Sequence, residues 1–217
     1  MWSWEFTWDI APEILLAMRT TIGATIVGFC LALIGGLLFA MGRRSRWRVI
    51  VWLSAAVIEF IRSTPLLVQL YFIFYGLPAV GISLSPFAAG VLGLGVHYSA
   101  YLSEVYRSGI EAVPRGQWEA SRALNFSRWQ TWQRIILPQA IRPIIPVLGN
   151  YLIVMFKETP LLSAITLVEM MLTAKMIGSE SFRYLEAFTI VGILFLLLSY
   201  LSSLLVKKLE VKLNSTQ

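Results

Sequence analysis

Two short stretches of this 217-residue chain place charged side chains where their neighbours are almost all apolar. Residues 60–67 read Phe-Ile-Arg-Ser-Thr-Pro-Leu-Leu and residues 155–162 read Met-Phe-Lys-Glu-Thr-Pro-Leu-Leu. Both contain a cation, one further residue, then Thr-Pro-Leu-Leu. A proline inside a helix cannot donate to the carbonyl four residues back, so Pro65 and Pro160 free the carbonyls of Ile61 and Phe156. A cation in hydrocarbon costs roughly 2.5 to 3.5 kcal/mol on an insertion scale, so it faces a partner, a cavity or water. The chemistry offered is binding rather than bond breaking. Arg62 and Lys157 suit a carboxylate, Glu158 suits a cationic group, and Thr64 and Thr159 supply hydroxyls beside opened backbone. These five residues are candidates for lining a substrate path. In the plainer alternative Arg62 pairs with Glu59 one turn earlier, Lys157 snorkels outward and the prolines only kink their helices.

Nucleophilic catalysis finds weaker support. His97 is the only histidine, and Ser99 and Ser103 follow it. His97 and Ser99 point to different sides of one helix, and no Gly-x-Ser-x-Gly turn occurs anywhere, so an intramembrane hydrolase is poorly supplied with parts. No Gly-x-x-x-x-Gly-Lys-Ser/Thr loop is present, so this polypeptide has no phosphate cradle of that type and is not expected to hydrolyse ATP. Cys30, the single cysteine, leaves no internal disulfide and no cysteine metal site. No metal ligands are assigned.

The elements that must position these groups follow from composition. Apolar residues make up 57% of the chain, charged residues 14%, and the mean hydropathy is +0.71. That is the profile of an integral membrane protein. Five spans can be drawn, at 14–41, 49–75, 87–106, 144–165 and 188–206. In both breaks the cation comes thirteen residues after the apolar start of its span, about 20 Å along a helix at 1.5 Å per residue, so they are expected at matching depth, facing one another or a shared cavity. Gly23, Gly28, Gly35 and Gly36 leave room for a second helix against the first span.

Cations set the orientation. Arg43, Arg44, Arg46 and Arg48 follow the first span, six arginines lie between Arg107 and Arg142, and Lys207, Lys208 and Lys212 follow the last span. These thirteen of the eighteen cations fall on one side, whereas the opposite side carries only Lys175 and Arg183. The positive-inside rule then puts the N-terminus outside and the C-terminus in the cytoplasm. The net charge of +6 is accounted for by this asymmetry, and nucleic-acid binding is not expected. Residues 1–13, with Trp2, Trp4, Phe6 and Trp8 but no cation, form an external interfacial segment that does not look like a cleaved signal. The segment 166–186 reads as an external loop, solvated or receiving a binding protein. At the inner end of the third span, Glu104 and Arg107 are spaced to pair on one helix face.

The cytoplasmic segment 109–142 predicts a helical elbow. Pro114 suits a first helical turn, Gln117 to Leu124 favour helix, and Asn125 sits where a helix ends in the left-handed conformation. Ser127 and Gln130 have capping-box spacing at the start of a second helix. That helix is expected to carry Trp129, Trp132 and Ile136 on one face and to close at Leu137-Pro138.

Here the sequence resembles a family. Glu119-Ala120-Ser121, Leu124, the corner at 125, Ile136-Leu137-Pro138 and Gln139-Ala140 are similar to the EAA loop of permease subunits in binding-protein-dependent ABC importers, above all the polar amino acid type that takes up histidine, glutamine or glutamate. Asn125 stands where that family usually has Gly, and Trp132 where it usually has Phe. The resemblance implies a single all-α polytopic permease domain over 1–217, resident in a bacterial inner (cytoplasmic) membrane. Its loop would couple to an ATPase through Gly116, Trp118, Glu119, Ala120, Ser121, Leu124 and Asn125. The partners implied are two ABC ATPase subunits that hold the ATP and magnesium, a second identical or homologous permease, and a periplasmic or lipid-anchored substrate-binding protein. No cofactor is implied on this chain, and no catalysis. The surroundings of Lys157 and of Phe182-Arg183-Tyr184-Leu185-Glu186 also resemble the ectoine and hydroxyectoine branch. A secondary carrier remains the alternative from another class, although it leaves the elbow without a purpose.

Overall fold

A chain this apolar must satisfy its own backbone hydrogen bonds, and helices do so locally. The computed structural model describes residues 2–214, and all the regular structure among them is helical. Met1 and residues 215–217, which belong to the expected 1–13 segment and 1–217 domain, lie outside the described residues.

The first helix, α1 (Trp4–Arg43), is capped by Ser3, whose hydroxyl accepts from the Phe6 N–H. It starts ten residues before the expected span, so residues 4–13 are its opening turns rather than a separate segment. Then come α2 (Arg48–Arg62) and α3 (Leu66–Tyr71), followed by a π turn (Phe72–Gly76) and a 3₁₀ turn (Leu77–Val80). α4 (Pro86–Glu111) runs through the centre. The elbow comprises α5 (Arg115–Ala123), α6 (Arg128–Thr131) and a π turn (Trp132–Ile136) that leads into α7 (Leu137–Glu158) and a 3₁₀ stretch (Thr159–Ile165). α8 (Met170–Ser181) and α9 (Tyr184–Asn214) complete the chain.

Three stretches are long and apolar enough to cross a membrane: Trp4–Arg43, Arg128–Ile165 and Tyr184–Leu213. A fourth qualifies if Arg48–Arg62 and Leu66–Val80, bent by 102° at their junction, form one broken span. At 26 residues α4 is long enough to cross, but His97, Ser99, Ser103, Glu104 and Arg107 make it more polar.

Packing turns on a stripe of small residues. Ala24, Gly28, Ala32, Gly36 and Ala40 recur every fourth residue along α1, and all are buried. They let α4 approach until the backbones nearly touch. A Cβ on Gly36 would stand 2.9 Å from Leu102 Cβ and 3.1 Å from the Ser99 carbonyl oxygen. Without a hydrophobic drive between helices in lipid, such close dispersion contact is the chief adhesive. Gly28 and Gly36 thus do what the sequence suggested, with three alanines completing the stripe.

The segment expected as an external loop at 166–186 instead contains α8 and is packed against α1 and α9. Glu169 is fully buried and caps α8 by accepting from the Leu172 N–H at 2.8 Å, while the Met170 N–H donates to Thr21 Oγ1 at 3.3 Å. Glu186 is also buried, accepting from the Ser3 N–H at 3.1 Å and pairing with Arg183. Glu169 and Glu186 therefore tie helix ends together, whereas Lys175 and Glu180 of the same segment are exposed.

Gly36→Leu is expected to lower stability by about 1–3 kcal/mol through overpacking, read as a reduced Tm of the detergent-solubilised protein. Gly192→Ala, at a position on α9 with open space around it, should leave the Tm unchanged or slightly raised.

Candidate functional site

The two Thr-Pro-Leu-Leu stretches form different joints. At the first, Ser63 ends α2, and Pro65 (φ −62°, ψ 138°) turns the chain into α3 at the 102° bend. At the second, Pro160 lies in the first turn of a 3₁₀ stretch and the helix continues without a comparable bend. The freed carbonyls are nevertheless satisfied by a shared device. Thr159 Oγ1 donates to the Phe156 carbonyl at 2.7 Å, and Thr64 Oγ1 donates to those of Phe60 (3.0 Å) and Ile61 (3.2 Å). The wider opening at Pro65 recruits a further donor. Gln69 Nε2 reaches the Ile61 carbonyl at 2.8 Å, the Thr64 carbonyl at 3.2 Å and Thr64 Oγ1 at 2.6 Å. Its Oε1 accepts from His97 Nδ1 at 3.1 Å, so His97 supports the joint.

One charged residue of each stretch, Arg62 and Glu158, reaches the tyrosines of α4. The Arg62 guanidinium stacks over the Tyr101 ring at 5.5 Å. Tyr98 donates its hydroxyl to Glu158 Oε2 at 2.7 Å. The rings of Tyr98, Tyr101 and Tyr151 surround one another, with centroids 6.1 to 6.2 Å apart. The breaks therefore do not meet directly at their cations; α4 stands between them. Beyond the breaks the two segments do approach, and Tyr75 donates to the Ala164 carbonyl at 3.3 Å. Arg62 forms no ion pair with Glu59, which instead accepts from Ser63 Oγ at 3.4 Å, so that part of the plainer alternative is not seen. Lys157 is exposed and has no carboxylate partner.

Gln69, Tyr98, Tyr101 and Tyr151 were not singled out in the sequence. Gln69, four residues after a proline, was the one available signal, since a glutamine there can reach a freed carbonyl.

At the other end of the chain's path, the elbow has the expected corner. Asn125 adopts φ 57°. The Phe126 N–H bonds to the Ser121 carbonyl and the Asn125 N–H to that of Arg122, at 3.0 and 2.9 Å, which is a Schellman closure. The reciprocal Ser127–Gln130 capping box is present. Pro114 takes the cap position before α5 rather than its first helical turn. Two expectations fail. The helix does not close at Pro138, and Trp129 does not share a face with Trp132 and Ile136. In the π turn the Leu137 N–H bonds to the Trp132 carbonyl five residues back, which shifts the register by one residue and lets the helix run on through Pro138. Trp129 is left 72% exposed. Trp132 and Ile136 pack with Val113 and Ala140 around Trp118 of α5, the two indoles meeting edge to face at 5.3 Å.

Of the predicted coupling residues, Trp118 and Ser121 face inward, Ser121 fully buried with its hydroxyl on the Gln117 carbonyl at 2.6 Å. Gly116, Glu119, Ala120, Leu124 and Asn125 are exposed. Glu119 and the neighbouring Arg115, Arg122 and Arg128 have no ion-pair partner within the described chain. The elbow is also fixed to the spans. Arg44, just beyond α1, stacks on Trp132 at 5.3 Å, and Arg43 pairs with Glu104 of α4. Arg107 bonds to Glu104 (2.6 Å) and Glu111 (2.7 Å), as the spacing of Glu104 and Arg107 foretold. Those hydrogen bonds, Glu104 first, raise the Arg107 pKa above its already high ordinary value.

The chain's similarity to known proteins agrees with this geometry. Residues 32–215 match the family described as the binding-protein-dependent transport system inner membrane component. The chain is 45% identical to the probable amino-acid ABC transporter permease protein y4tG of Sinorhizobium fredii, covering 96% of this chain and 95% of that one. It is 31% identical to the glutamine transport system permease protein GlnP of Escherichia coli, over 95% of each. Among solved structures, an amino acid ABC transporter crystallised with histidines superposes with a TM-score of 0.93 at 33% identity, covering 98% of this chain and 99% of that chain. The inward-facing MetNI methionine ABC transporter, at 19% identity, shares the fold with a TM-score of 0.73 over 98% and 99% of the two chains.

Gln69→Leu should leave the Ile61 carbonyl poorly satisfied and cost about 1–3 kcal/mol, lowering the Tm and raising hydrogen exchange at the α2–α3 joint. At the corner, Asn125→Gly should fold normally, whereas Asn125→Val should expose the end of α5 to rapid exchange, because a β-branched residue is strained at that φ.

Proposed function

We propose, from the premise that this chain belongs to the family of binding-protein-dependent transport system inner membrane components, that it forms half of a translocation pathway importing a small zwitterionic solute. It is a permease of the inner membrane and not an ATPase. Amino acids are the favoured cargo, since two relatives matched over nearly their whole length are named as an amino-acid and a glutamine permease. Ectoine and hydroxyectoine share the same paired charges and are retained as a narrower reading on the sequence resemblance alone.

The observation that carries the proposal is a pair of unlike surfaces on one short chain. One is the exposed elbow with Glu119, Leu124 and three unpaired arginines; the other is the tyrosine-lined group joining Arg62 to Glu158 through α4. In this reading the elbow docks on one of two ATPase subunits, which bind ATP and magnesium. Trp118 and Trp132 would transmit its motion to α7, and through Arg44 to the end of α1. Five spans, with residues 1–13 outside and 109–142 in the cytoplasm, are supported by the cation asymmetry. A second permease, identical or homologous, would complete the path, and a periplasmic or lipid-anchored binding protein would deliver cargo.

At the break, Arg62 and Lys157 would take the carboxylate, and Glu158 the cationic group, with Tyr98 orienting Glu158 and Tyr101 holding Arg62 in place. A hydrolase is not favoured. Ser99 and Ser103 donate to the Gly95 and Ala100 carbonyls of their own helix, and His97 is bonded to Gln69, so neither serine is held by the histidine.

In proteoliposomes carrying the whole transporter, Glu119→Arg should reduce ATP-driven uptake by about tenfold or more, the worth of one charge-assisted contact. Normal uptake would remove the coupling assignment. Arg62→Ala, Lys157→Ala and Tyr98→Phe should each depress uptake while the ATPase still copurifies. Unchanged uptake in all three would leave the breaks as structural joints only.

A further inference from the structure

An apolar cleft of about 780 Å³ opens at the inner end of the molecule between α1, α4 and α7. Leu37 and Met41 of α1, Tyr106 and Ile110 of α4, and Ile141 and Ile145 of α7 form its walls, and Arg44 and Trp132 stand at its edge. The Tyr106 hydroxyl is directed away from ligand use, donating to the Leu33 carbonyl at 3.3 Å. The walls therefore offer hydrocarbon contact and the edge offers a cation.

The placement of that cation is specific. Arg44 lies over the Trp132 ring at 5.3 Å, a contact that does not consume its N–H donors. Among the described residues no carboxylate pairs with it, whereas the adjacent Arg43 is engaged by Glu104. Arg46 repeats the arrangement over Trp47 at 5.4 Å, and Trp47 is itself 60% exposed. Two arginines are thus held by indoles, Arg44 at the edge of the apolar cleft and Arg46 two residues further along the chain. Tryptophan and arginine together are the side chains expected at the headgroup level of a bilayer.

We infer that this cleft is a binding site for an anionic phospholipid, with an acyl chain between α1, α4 and α7 and its phosphate on Arg44, assisted by Arg46. Charge complementarity selects an anionic lipid over a second copy of this chain, whose matching face carries the same arginines. The inference rests on the proposed cytoplasmic placement of residues 43–48 only for its leaflet; binding in detergent reads the site without regard to orientation. Because Trp132 also seats Trp118 of the elbow, a bound lipid would steady the coupling surface.

The full chain, purified in a mild detergent and delipidated, would be titrated with phosphatidylglycerol or phosphatidylcholine of identical chains, and retained lipid counted by native mass spectrometry. Phosphatidylglycerol should be retained about tenfold better, as one charge-assisted contact allows. Arg44→Gln should abolish that preference, and Arg44→Lys should restore part of it. Ile141→Trp, which fills the cleft, should reduce retention of both lipids. A parallel titration with inorganic phosphate, read by protection of Trp132 fluorescence from a quencher, should show no effect without an acyl chain. Equal retention of the two lipids, a preference that survives Arg44→Gln, or protection by phosphate alone would overturn the inference. So would a cysteine at position 141 that cross-links to a second copy in place of binding lipid.

Discussion

A carbonyl released by proline inside a membrane has no water to turn to, and the structure is built around that constraint. Pro65 and Pro160 each release one in the middle of an apolar stretch. At Pro160 a threonine hydroxyl suffices and the helix tightens to 3₁₀. At Pro65 the chain bends through 102°, and a single Gln69 side chain holds three oxygens at the joint. That glutamine is held in turn by His97 of α4. Satisfying opened backbone has therefore brought α4 between the two breaks, and its tyrosines carry the contacts to Arg62 and Glu158. Polar groups that would be costly in lipid become a connected group, the one proposed to contact the cargo.

The same helix makes the distance to the elbow short in mechanical terms. α4 is clamped to α1 along small residues every fourth position, ends in the Glu104–Arg107–Glu111 network, and is followed directly by α5. Motion imposed on Trp118 meets Trp132, and Trp132 belongs to the helix that continues as far as Glu158 and Ile165. The π turn is what makes that continuity possible. Had Pro138 ended the helix, the elbow would connect to the break through a flexible corner. With the widened turn, one continuous helical element of 38 residues joins the elbow to the second break.

Local chemistry was legible where one or two residues decide it. Asn125 in the left-handed conformation, the Ser127–Gln130 capping box, the Glu104–Arg107 pair and the break at Pro65 all follow from side chains acting on nearby backbone. The membrane class and most of the helices follow from composition and run length. What escaped is set by tertiary partners. A π turn widens the helix after Trp132, so a helix expected to close at Leu137-Pro138 runs on into α7. The segment at 166–186 looked like a loop because Glu169, Glu186 and Arg183 suggested solvent, yet each bonds to a helix end or to a neighbouring side chain. The part played by Tyr98, Tyr101 and Tyr151 needs three elements in place and has no short-range signature.

The central claim is that this chain is one half of an ATP-driven pathway whose motor docks on the elbow. Affinity purification of the tagged chain from its native membrane in a mild detergent, followed by quantitative mass spectrometry, tests it most directly. The account predicts a stoichiometric ATPase bearing a Walker motif, together with a second permease or self-association of this chain, and loss of the ATPase alone when the elbow's exposed face is altered. A chain that purifies without any ATPase, under conditions that preserve known importers of this family, would contradict it.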